Sequence, residues 1–182
     1  VLRDIKRGIR NLMPPRLPRP AIGAARMQLL VAQAVVQGDK LRAASYCFAY
    51  QFLLRVPSEL LRQFRPAMFL IDNETRSVRV GPLRRKTADE VYVMAPCVCS
   101  CEARMVCAHV WAAWVLRNYK YKMNTLIFDQ PYDRFIYRLR NDLQSVGVSS
   151  DEAERCGSHA FRHGAAKDIL RTQGLQATLK RG

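Results

Sequence analysis

Acid is scarce in this chain. Fifteen Asp and Glu stand against 30 Lys and Arg over 182 residues, a formal charge of +15. That excess is more than solubility requires and points to a polyanionic partner, nucleic acid before all others. An anionic membrane surface fits less well, because the sequence holds no long basic amphipathic helix and no lipidation signal. Long apolar runs are missing too. None approaches the ~20 residues that a bilayer-spanning helix needs, so no membrane partner is expected. There is no internal repeat and no low-complexity tract. The first residues, Val1-Leu2-Arg3-Asp4, include no initiator Met and have no signal-peptide shape, so a longer parent chain is expected. Hydrophobic residues make up 49% of the chain, enough for a core of one domain plus an appendage.

Cysteine is present but badly distributed for a disulfide framework. Four of the six lie between positions 97 and 107. Such crowding suits a metal or reduced thiols, and with them an intracellular setting, nuclear if the source is a eukaryote.

The pattern along the chain divides it at about residue 20. Residues 2–12 read as a short basic helix, and Met13-Pro14-Pro15-Arg16-Leu17-Pro18-Arg19-Pro20 is a linker whose four prolines exclude a helix or a central strand. Arg16 and Arg19 are placed to follow a DNA backbone. Residues 21–182 form the main domain. Helical spacing runs over 24–37 and stops near Gly38; Asp39 is a good N-cap for a helix to about Arg55; Pro57 suits the start of a short helix over 57–63. Strand-like segments follow at 68–71, 77–80 and 90–94, with Arg84, Arg85 and Lys86 in the second turn. Helices are predicted at 108–118, burying Val110, Trp111, Trp114 and Val115, and at 132–145. Residues 147–156 read as a connector. Ser158 is the expected N-cap of a last helix running to about Gln173. The fold class is mainly α with a small three-stranded antiparallel sheet (α+β).

Two stretches carry the chemistry: Leu53-Leu54-Arg55-Val56-Pro57-Ser58-Glu59-Leu60-Leu61 and Ser158-His159-Ala160-Phe161-Arg162-His163-Gly164-Ala165-Ala166. Each sets an arginine in an apolar helical pattern, where a guanidinium needs an acid or a phosphate for its donors. Glu59, four residues after Arg55, is within reach on the next turn and is expected to orient it. His159 and Arg162 share a helix face at i,i+3, near an N-terminus that favours anions. His163 points about 100° away and reads as a structural histidine. Gly164, Ala165 and Ala166 let this helix approach the core closely.

These two stretches, with the order helices–sheet–helices, resemble the catalytic domain of the tyrosine recombinase (phage integrase) family over roughly residues 24–182. The resemblance implies that Arg55, His159 and Arg162 hold a scissile DNA phosphate and that Lys86, in the hairpin, protonates the leaving 5′ oxygen. A tyrosine would attack to form a 3′-phosphotyrosyl link, with no cofactor required for the chemistry. Arg84 and Arg85 would grip the DNA backbone. It also implies double-stranded DNA as partner and assembly of protomers on it. The sequence departs from the family in one respect: its seven tyrosines all precede His159, so this chain alone is not expected to complete strand transfer.

Cys97-x-Cys99-x-Cys101 and Cys107-x-His109 are similar to the Cys-x-Cys…Cys-x-His pattern of SWIM-type zinc modules. Five candidates compete for four tetrahedral places, and Cys97, Cys99, Cys107 and His109 are the favoured set for a structural zinc. Reduced thiols beside a core helix are the other reading. Cys47 and Cys156 read as small core residues. The expected function is DNA strand cleavage and rejoining in integration and recombination. The alternatives are a non-catalytic, zinc-stabilised DNA-binding module derived from such an enzyme, and a basic ribonucleoprotein component.

Overall fold

The computed structural model describes residues 20–85, 88–98 and 104–181. The basic helix and linker, with Arg16 and Arg19, therefore lie outside the described residues, as do Lys86, Cys99 and Cys101. The described part is mainly helical with one small antiparallel sheet.

Helix α1 (Ala24–Val36) ends where Gly38 takes φ +75°, and α2 (Lys40–Gln51) starts at Asp39, whose carboxylate accepts from the Arg42 amide at 3.0 Å. The sequence predicts that α2 continues to about Arg55. It stops at Gln51 because Leu53 turns left-handed, φ +51°. Paired bonds from Leu53 N to Tyr50 O and from Leu54 N to Ala49 O close the helix in a Schellman motif. A leucine in that conformation is strained, but Leu53 and Leu54 are both buried, and their packing holds it.

The chain then makes a π-helical turn, Val56–Leu60, running into an α-helical turn, Leu61–Gln63. Strands β1 (Phe69–Asp72), β2 (Ser77–Arg85) and β3 (Ala88–Pro96) form a meander in the order β1-β2-β3. Leu70 pairs Arg79 and Arg79 pairs Met94, as a period-two reading requires. β2 is longer than predicted. Its register shifts between Val80 and Leu83 and again before Arg85, around Gly81-Pro82. Arg84 and Arg85 consequently sit on β2 and not in the turn where the sequence places them.

Helix α3 (Ala108–Asn118) packs beneath the sheet, burying Ala108, Trp111, Ala112 and Val115, while Val110 and Trp114 are only half-buried. Helix α4 (Tyr132–Ser145) follows as predicted. The expected connector contains a further helix, α5 (Ser150–Arg155), capped by the Ser149 hydroxyl accepting from Glu152 N at 3.3 Å. Helix α6 (Ala160–Arg181) breaks at Gly174, φ +82°, close to the predicted end at Gln173. No helix among the described residues is long and apolar enough to cross a membrane.

One core joins these pieces. The Phe48 ring lies 5.2–6.1 Å from those of Phe52, Phe64, Phe69 and Phe128, tying α2 to the sheet side. Tyr46 stacks on Phe161 at 5.5 Å and meets Phe135 edge-on at 5.9 Å, tying α2 to α6 and α4. Its hydroxyl donates to Asp142 at 2.7 Å. Cys47 and Cys156 are buried, as core residues should be.

Candidate functional site

Glu59 is the centre of the site. It is 1% exposed, on a domain where buried charge is rare. A carboxylate that deep needs partners. It accepts from the Arg55 backbone amide at 3.1 Å. It also pairs with the Arg85 guanidinium, Nε to Oε1 at 3.2 Å and Nη2 to Oε2 at 3.4 Å. The sequence expectation was that Glu59 orients the Arg55 side chain; instead it holds the Arg55 backbone and the Arg85 side chain. The reason is the π turn. The Arg55 carbonyl accepts from both Glu59 N (2.9 Å) and Leu60 N (3.3 Å), which widens the turn and carries the Glu59 side chain back over its start.

Gln63 fixes the other half. Its amide donates to Arg84 O at 3.0 Å and accepts from Arg84 N at 2.7 Å, so it clasps the end of β2 as a neighbouring strand would. It also donates to Ser58 O at 2.7 Å, beside Glu59. The end of β2 is thereby locked onto the turn, with Arg85 at the carboxylate and Arg84 exposed.

Arg162 reaches the same place from α6. It is half-buried, and burial lowers its pKa below the usual arginine value. The Arg85 charge is the next cause, Glu59 acts in the opposite direction, and Arg55 lowers it further. Three guanidinium groups from three separate elements therefore lie in one electrostatic neighbourhood around one carboxylate.

Close backbone contact and a half-buried acid hold α6 in position. Ile22 N donates to Ala160 O at 3.0 Å, and a Cβ on Gly164 would lie 1.8 Å from the Ile22 carbonyl oxygen. Only glycine fits there, in line with the small-residue reading. Asp168, which the sequence did not single out, accepts from Ala24 N at 2.8 Å and from the Tyr50 hydroxyl at 2.6 Å. It caps α1 and pins α6 to α2, and burial together with this bond pushes the Tyr50 phenol up.

The histidines sit at the start of α6. His159, not Ser158, holds the N-cap position of α6, its carbonyl accepting from His163 N at 2.9 Å. Its ring stacks on that of the exposed His163, centroids 5.8 Å apart and planes at 19°. The two rings line a hollow with Tyr132, Arg140 and Arg155. The structure thus gathers Arg55, Glu59, Arg85 and Arg162, while His159 and His163, at the start of the helix that carries Arg162, line that hollow with Tyr132, Arg140 and Arg155. Arg85, expected to grip the DNA backbone from a turn, was the residue misplaced. One signal for it was present: Leu83 and Arg85 share a strand face, and Leu83 is buried.

The cysteine segment is partly described. Cys107 Sγ lies 3.6 Å from Cys97 Sγ, and His109 is half-buried on the first turn of α3. Tetrahedral Zn–S bonds of about 2.3 Å set sulfurs roughly 3.8 Å apart, so this pair fits two places of a zinc site. Among the described residues no group of three or more His, Cys, Asp or Glu is arranged to hold a metal. The buried Cys47 donates to Val106 O at 3.1 Å; burial, then the nearby Cys107, pushes its thiol up.

No protein-family model, no curated protein and no solved structure matches the chain.

Proposed function

We propose that this protein binds duplex DNA and holds one backbone phosphate in the cradle of Arg55, Arg162 and His159, as the phosphate-gripping core of a tyrosine recombinase would. The observation that carries the reading is the meeting of Arg55 and Arg162. They are over a hundred residues apart in sequence, yet both belong to the surroundings of one carboxylate: Glu59, 1% exposed, accepts from the Arg55 amide at 3.1 Å and pairs with Arg85, and the half-buried Arg162 lies within the field of all three. Bringing like charges together in a half-buried place opposes folding, and a phosphate alongside favours their charged forms. His159 stands at a helix N-terminus, where its ring and the backbone amides suit an anion. In strand cleavage these groups would neutralise the charge that develops on the phosphate, and Lys86 would serve the leaving oxygen. The net charge of +15 supplies the long-range attraction to the duplex.

The test is fluorescence anisotropy with a labelled duplex. Binding in the range of about 10⁻⁶–10⁻⁴ M, weakening steeply as salt rises, is expected. Arg162→Ala should weaken it. A chain that leaves the duplex unbound at low salt would end the reading.

A second reading has its own observation. The Cys97–Cys107 spacing favours a zinc-stabilised module in which this pair staples the end of β3 to the start of α3; His109 is not grouped with it, so the further ligands would come from outside the described residues. Such a zinc would be structural and is compatible with the DNA reading.

A further inference from the structure

We infer that Arg85 is a third phosphate-binding group of the cradle and that Glu59 is the positioning residue that aims it. The inference rests on the reading of the cradle as a phosphate site and deepens it. Three observations carry it. First, the Arg85 side chain is 9% exposed and forms an ion pair with the buried Glu59, Nε lying 3.2 Å from Oε1 and Nη2 donating to Oε2 at 3.4 Å. A guanidinium drawn in that far is placed by the acid it pairs with and not by solvent. Second, Arg85 meets the buried Glu59 with its side chain, whereas Arg55 meets it only through its backbone amide, at 3.1 Å. Third, Gln63 clasps Arg84 through both its amide and carbonyl, so the strand end that carries Arg85 is held rigidly. A plain structural partner for Glu59 needs neither Arg162 beside it nor a clamped backbone.

The experiment titrates a short fluorescein-labelled duplex with this chain at several salt concentrations. Arg85→Ala is expected to weaken binding about tenfold and to reduce the slope of log K against log salt by about one contact. Glu59→Gln gives the sharper result. Losing a negative charge should tighten binding to a polyanion if charge alone matters; if Glu59 aims Arg85, binding weakens instead. Glu59→Gln that binds as tightly as the wild type, or tighter, with unchanged far-UV circular dichroism, overturns the inference. Where Glu59→Gln does not fold, Arg85→Lys decides. It keeps the net charge and loses the fork, so weakening of several-fold is expected and equal affinity overturns the inference. The two failures are distinguishable. If Arg162→Ala weakens binding and Arg85→Ala does not, the cradle stands without Arg85. If neither changes affinity or slope, the cradle itself is refuted.

Discussion

Replacing Gly164 with alanine tests whether α6, which carries Arg162, is held by direct backbone contact. The added Cβ would lie 1.8 Å from the Ile22 oxygen, 2.3 Å from its carbonyl carbon and 2.8 Å from the Gly23 nitrogen. All three are backbone atoms, so no change of rotamer relieves the clash. Either α6 or the 22–23 segment must move, and the bond from Ile22 N to Ala160 O lies in the same contact. Overpacking costs roughly 1–3 kcal/mol and a lost backbone hydrogen bond about 1 kcal/mol, while alanine returns about 1 kcal/mol of helix propensity. The approach is far inside van der Waals contact, so the upper end applies and the net loss is about 3 kcal/mol. For a domain of this size that is a fall in melting temperature of about 6–12 °C. Urea unfolding gives the free energy directly. Gly157→Ala is the control: nothing lies within 4 Å of its Cβ, and it should stay within about 0.5 kcal/mol of wild type. A Gly164→Ala protein as stable as wild type, or more so, would show that helix propensity wins and that the contact is slack.

Three other outcomes are expected. On the zinc reading, protein purified without a histidine tag carries about one zinc and Cys107→Ser loses it; under about half an equivalent in the unaltered protein counts against the site. Burial raises the Asp142 carboxyl pKa despite its bond to Tyr46 and its pair with Arg42, so the folded state binds that proton more tightly than the unfolded one. Stability from this group therefore falls as pH rises from the unfolded carboxyl value of about 3.9 through the higher folded value. Asp142→Asn should gain on wild type across that window in urea unfolding; a difference that is flat with pH removes the argument. Asp168→Ala should destabilise by roughly 1–3 kcal/mol in the same assay, through the Tyr50 hydroxyl and Ala24 amide it leaves unsatisfied; an effect below about 0.5 kcal/mol would show that neither bond matters.

Where the sequence read well, a local rule and the tertiary packing agreed. Asp39 caps α2 as its side chain dictates, α4 begins and ends as its apolar spacing requires, and the small-residue run after Arg162 meets a neighbouring backbone at Gly164. The misses have separate causes. Helix α5 was signalled by Ser149 and Glu152 at capping spacing but is too short for a periodic signal. Helix α2 was read too long because nothing local tells a leucine to turn left-handed; burial of Leu53 and Leu54 decides it. β2 was read too short because Gly81-Pro82 looks like an end and is instead an irregularity within the strand. That last error displaced Arg85 from the site to a turn.

The partner of Glu59 shows why spacing alone misassigns a buried carboxylate. Arg55 and Glu59 at i,i+4 look like an ion pair on a regular helix. A π turn alters that relation, and the carboxylate accepts from the backbone of Arg55 while its charge meets Arg85, 26 residues on. The two roles make different demands. An amide acceptor needs only an oxygen, which glutamine also supplies. The guanidinium needs the charge, because at 1% exposure water gives Glu59 little solvation. Breaking such a pair costs far more than forming it stabilises, so a buried carboxylate is weak as a stability device. Its use on the proposed reading lies in position: it ties the Arg85 side chain to the same turn that sets the backbone of Arg55, so that one acid links two elements of the cradle.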